Sequence, residues 1–119
     1  MTDTMNPPAD SLARRAELHD GYRKLNKLVP DVMKGFSELH RNAVADGELS
    51  HLHKELIAMA IGIATHCNEC VVLHMYEALR SGATEAQVME AIGVAVLMGG
   101  GPASTAAADA VRVLEDYTA

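Results

Sequence analysis

The chain has no tryptophan, one phenylalanine and three tyrosines among its 119 residues. Without bulky rings, its core must be built from aliphatic, alanine and methionine side chains. That supply suits packed helices better than a β-sandwich, where β-branched and aromatic residues are enriched. Positive charge is also short: 10 basic against 16 acidic side chains gives a net charge of −6. Such a balance, with so few rings, supplies neither a phosphate-binding face nor platforms for stacked bases, so nucleic acid is not an expected partner. Long apolar runs are missing as well. Ala91 to Met98 is the longest at eight residues, short of the roughly 20 that cross a bilayer, and no membrane partner is expected. The N-terminus is polar through Asp10 and contains Pro7 and Pro8. It lacks the basic start and apolar segment of a secretory signal, which gives a cytoplasmic expectation. Cysteine is limited to Cys67 and Cys70. In a cytoplasmic chain such a pair reads as a metal or redox site rather than a staple, because so short a loop removes little freedom from the unfolded chain.

What is present fits one folded domain, with 49% hydrophobic and 22% charged residues. Apolar residues recur at three- and four-residue spacing, with no sustained alternation of period two, so the expected class is all-α. Asp10 or Ser11 can cap a first helix that ends before Pro30, and Pro30-Asp31 opens a second that closes before Gly47. Ser50 caps a third, a fourth runs from about Cys67 to Arg80, and Thr84 to Gln87 opens a fifth with a capping-box pattern. The residues from Val88 to Met98 are apolar on most sides, which predicts burial all round. Gly99-Gly100-Gly101-Pro102 then breaks the chain before a sixth, alanine-rich helix to about Tyr117. So much small-residue surface in a short chain is easiest to cover by a second copy, and a homo-oligomer is expected.

Chemistry concentrates in Glu55, Cys67-Asn68-Glu69-Cys70 and His74. At about 100° per residue the two cysteines and His74 fall within roughly a 60° arc of one helix face. His74 lies four residues after Cys70, the spacing at which helical side chains meet, and can exchange a proton with a thiol. The cysteines also open their helix, where unpaired N–H groups favour a thiolate. If the chain reverses near Thr65-His66, Glu55 and His74 come within one helical turn in height, so a carboxylate can orient the imidazole and strengthen it as a base. The helix dipole favours Cys67 as the reactive thiol, whereas the neighbouring imidazole favours Cys70.

The spacing Glu-x11-Cys-x2-Cys-x3-His, met by Glu55, Cys67, Cys70 and His74, resembles the active-site signature of the carboxymuconolactone decarboxylase/AhpD-like (alkylhydroperoxidase) superfamily. The resemblance runs from Asp31 to Tyr117, leaving residues 1–30 as an N-terminal extension with one helix and 31–119 as the AhpD-like helical domain. It implies a compact bundle of about six helices that assembles into trimers or hexamers. It also implies a thiol-dependent peroxidase without metal or bound cofactor. In that scheme Cys70 attacks a small-molecule hydroperoxide, Cys67 resolves the product to a disulfide, and Glu55 with His74 moves protons. An external dithiol or a lipoylated protein returns the thiols. One departure is Glu69, which stands between the cysteines where the family's peroxidase carries histidine, and a carboxylate there raises a neighbouring thiol pKa.

Two further readings stay open. The decarboxylase branch shares the fold and acts on a lactone, but generally without the cysteine pair. A redox or zinc-sensing module could instead use Cys67, Cys70 and His74, with a fourth ligand from His51, His53, His66 or Glu55. His51 and His53 are expected in solvent, and His66 as a turn residue. His19 and His40 are expected on helix surfaces, far from the motif.

Overall fold

A computed structural model describes residues 10–119. The expectations placed on residues 1–9, including Pro7 and Pro8, lie outside them. Among the described residues the regular structure is all α-helical: α1 Ser11–Leu28, α2 Pro30–Val44, α3 His51–Ala64, α4 Asn68–Arg80 and α5 Glu85–Thr118. Each start is set by a local device. Asp10 accepts from the Ala13 N–H, Pro30 occupies the first turn of α2, Ser50 accepts from the His53 N–H, and Thr84 and Gln87 form a reciprocal capping box.

The expected sixth helix is continuous with the fifth. Gly100 adopts φ 71° and ψ −157°, breaking the helical path, and Pro102 follows in the next turn. The first segment stops at this kink and the second resumes without an intervening loop. The break also allows close approach, because a Cβ on Gly99 would lie 2.4 Å from the Ala103 Cβ and 3.3 Å from the Ala64 Cα. By length and hydropathy α5 could cross a membrane. Here one face, including Val88, Ile92, Ala103 and Val113, is buried in the core.

The core lies where α3, α4 and α5 meet, around Met59, Ile63, Val71, Val72, Met75, Val88 and Val113. Burying each side chain contributes about 1.5–3 kcal/mol before chain entropy is counted. The segment from Val88 to Met98 is not buried all round as expected: Val94, Leu97 and Met98 are 58%, 78% and 75% exposed. A 34-residue helix presents more apolar surface than α3 and α4 can cover.

Polar contacts hold α1 over α4 and α5. Asp116 accepts from the Ser11 N–H at 2.9 Å and from its hydroxyl at 2.7 Å. Arg14 reaches both Glu69 on α4 and Asp109 on α5, at 2.7 and 3.2 Å. The Arg15 guanidinium sits 3.7 Å above the Tyr76 ring. In contrast, α2 contains no fully buried residue.

Candidate active site

The reversal expected near Thr65-His66 is a tight turn in which His66 takes φ 62° and its N–H donates to the Ile63 carbonyl. The Cys67 N–H donates to the Gly62 carbonyl at 2.8 Å, binding the cysteine segment to the end of α3. Gly62 permits this approach, since an added Cβ would lie 3.2 Å from the Cys70 Cβ and 3.5 Å from the Cys67 carbonyl oxygen. Cys67 and Cys70 are joined by a disulfide. Cys67 is the N-cap rather than the first helical residue, with φ −98° and ψ 83°, so the common arc expected for three residues applies only to Cys70 and His74. The Cys67 Sγ accepts the Cys70 N–H at 3.3 Å, which points a helix N-terminal donor at this sulfur.

Across the turn, Glu55 on α3 and His74 on α4 meet directly. His74 Nδ1 lies 2.7 Å from Glu55 Oε1, and the carboxylate is only 1% exposed. An ionised carboxylate only accepts, so Nδ1 donates and Nε2 of the neutral ring is left as a base. His74 is partly accessible, at 23%.

Two histidines join this pair against expectation. His51 is not a solvent residue: its Nε2 lies 3.4 Å from Glu55 Oε2, and its Nδ1 donates to the Val44 carbonyl at 2.7 Å. The signal was the i, i+4 spacing of His51 and Glu55 on one helix. His40, expected far from the motif, packs edge-on against His74 with ring centroids 5.9 Å apart. Nothing local to the sequence announces that contact, because it depends on how α2 packs against α1 and α3. His53 and His66 are exposed.

His40 and His74 also line a cavity of about 330 Å³, with Met33 and Phe36 from α2, Leu73 from α4, and Arg15, His19 and Tyr22 from α1. His19 therefore belongs to this cavity too. Glu69 does not stand uncompensated beside the cysteines. Arg14 contacts it through Nε at 3.1 Å and Nη2 at 2.7 Å. Burial opposes the Arg14 charge, but its hydrogen bonds to Glu69 and Asp109 outweigh this and hold its pKa above the ordinary value.

The model of the carboxymuconolactone decarboxylase family matches residues 30–113. The chain belongs to that family. Among carboxymuconolactone decarboxylase family structures, apo-lpg0406 from Legionella pneumophila is similar at TM-score 0.87 and 35% identity, covering 92% of this chain and 97% of that one. A family member from Thermotoga maritima has TM-score 0.81 at 22% identity over 88% and 90% of the two chains, a likeness of fold. An uncharacterized protein from Cupriavidus necator is 33% identical over 92% of this chain and 97% of its own length. The family match begins at α2, whereas the polar fastening of Glu69 comes from α1.

Proposed function

We propose that the protein is a thiol-dependent peroxidase of the AhpD type, cycling between the Cys67–Cys70 disulfide and its dithiol. The observation that carries this reading is the 2.7 Å hydrogen bond from His74 to the buried Glu55 carboxylate on the same helix pair that presents the disulfide. In the reduced protein the Cys70 thiolate attacks an oxygen of an organic hydroperoxide. The O–O bond breaks, the sulfur is oxidised to a sulfenic acid, and the alkoxide leaves as an alcohol after taking a proton. Cys67 then attacks the Cys70 sulfur, forming the S–S bond and releasing water once the hydroxide is protonated. An external dithiol or a lipoylated protein restores both thiols by exchange.

Glu55 fixes the His74 tautomer, so that Nε2 takes and returns the protons of these steps. The cavity beside His74 joins apolar Met33, Phe36 and Leu73 to polar groups, which suits a small organic hydroperoxide. A cytoplasmic homo-oligomer is part of the proposal. The exposed Val32, Phe36 and Leu39 on α2 and Val94, Leu97 and Met98 on α5 support it as surfaces for further copies.

The test is to reduce the protein fully, remove the reductant and add one equivalent of an alkyl hydroperoxide. Loss of both thiols, formation of the Cys67–Cys70 disulfide by mass analysis and loss of turnover in Cys70→Ser are expected. Persistence of both thiols after peroxide treatment overturns the reading.

A further inference from the structure

The partners found for the buried Glu55 carboxylate are imidazoles. His74 donates to Oε1, while His51 Nε2 faces Oε2 at 3.4 Å. The His51 contact has an instructive polarity. Its Nδ1 lies 2.7 Å from the Val44 carbonyl oxygen, which only accepts, so Nδ1 carries a hydrogen. In a neutral ring Nε2 is then a bare lone pair directed at an oxygen that is also an acceptor. A positive charge near Glu55 relieves both that opposition and the cost of burying a carboxylate. A third ring is close by: one ligand atom each from His40, Glu55 and His74 lies within 4.8 Å of the others, and the three residues come from α2, α3 and α4.

We propose that His40, Glu55 and His74 form a binding site for a borderline divalent transition-metal ion, Zn2+ in the first instance, on the wall of the cavity. Two imidazoles and one carboxylate suit such an ion, and three protein ligands leave a coordination position for water or a small ligand. His40 and His74 both line the cavity, so that position has space to open into. Around a tetrahedral ion with bonds of about 2.1 Å, ligand atoms stand about 3.4 Å apart. The three ligand atoms lie within 4.8 Å of one another, at most about 1.4 Å wider than this, and the exposed His40 is free to rotate toward the other two. The His51 ring, fixed by the bond from its Nδ1 to the Val44 carbonyl, stands against the Glu55 oxygen that His74 does not touch.

The site uses neither sulfur, unlike the zinc arrangement the cysteines suggest by sequence. It also differs in use from the peroxidase cycle: an ion bound by both Glu55 and His74 replaces the Nδ1–H···Oε1 bond, the ring hydrogen moving to Nε2, and so occupies the groups that would move protons. The metal site can therefore stand or fall separately from that cycle.

The test uses the full chain carrying Cys67→Ser and Cys70→Ser together, which removes thiolates as competing ligands. Zn2+ is titrated by calorimetry, and Co2+ by its visible absorption. One ion per chain is expected, with intense tetrahedral-type Co2+ bands. Adding His40→Ala, His74→Ala or Glu55→Gln is expected to weaken binding at least tenfold, while His53→Ala leaves it unchanged. His40 is exposed, so its variant retains the fold, checked by circular dichroism. Absence of saturable binding overturns the site, as does equal affinity in His40→Ala or an equal loss in His53→Ala.

Discussion

Glu55 illustrates how burial turns an ordinary side chain into a positioned one. A carboxylate removed from water needs a donor, and this one finds it in His74 on α4 at 2.7 Å, with the His51 ring one turn earlier on α3 standing 3.4 Å from its other oxygen. Glu55→Gln keeps the shape and removes the charge that orients and strengthens the imidazole. Peroxide-dependent turnover is expected to fall about 100-fold, with the helical circular dichroism spectrum unchanged. His74→Gln is expected to cost as much, and the two changes together little more, because members of a relay act as a unit. Multiplicative losses in the double variant would assign them independent roles. The meeting of Glu55 and His74 was legible in the sequence, since a reversal at Thr65-His66 leaves few other heights at which they can lie. His51 was legible in principle from its spacing to Glu55. His40 was not, because helical periodicity describes neighbours along one helix and carries no information on the crossing of two.

At the scale of elements, α1 does more than lengthen the chain. Arg14 brings a positive charge to Glu69, one of the two residues between the cysteines. Arg14→Gln leaves that carboxylate unbalanced beside the thiols of the reduced protein, which disfavours the thiolate. Glu69 is 46% exposed, so solvent screens much of the effect, and alkylation of the reduced pair at neutral pH is expected to slow about two- to threefold. A second link joins α5 to α4: the Tyr117 hydroxyl donates to the Val72 carbonyl at 2.8 Å. Burial pushes the Tyr117 pKa up to about 12, against about 10 in an unfolded chain. Both states are neutral at lower pH, and the bond contributes fully there. As pH rises from about 10 to about 12 the unfolded chain ionises first, so stability falls through that window. Denaturant midpoints measured across it should decline in the native sequence and decline less in Tyr117→Phe. The starts of α2, α3 and α5 were readable from Pro30, Ser50 and Thr84 because caps are local chemistry. The joining of the last two expected helices was not, since Gly100 signals a break but not whether a helix resumes at once.

For the whole molecule, the balance of apolar surface is unfinished in a single chain. Leu28, Val32 and Leu39 stand 78%, 67% and 64% exposed near and along α2, and Leu97 and Met98 stand 78% and 75% exposed on α5. The proposed homo-oligomer would cover these side chains. Light scattering is expected to give a mass that is a multiple of the 12.7 kDa chain, and Leu97→Glu to shift it toward the single chain. A native mass of one chain would remove the oligomer from the proposal. The sequence revealed the excess of apolar helix, because composition counts it directly. It did not reveal which faces α3 and α4 leave uncovered, because that depends on the finished arrangement of all five helices.

The bond between Ser11 and Asp116 joins positions 105 residues apart. During translation the opening helix therefore emerges from the ribosome long before its anchor exists. Until Asp116 is made α1 lacks that bond, whereas Glu69, only 55 residues from Arg14, is on hand earlier, so the disulfide turn can gain its counter-charge before the helix is fastened to α5.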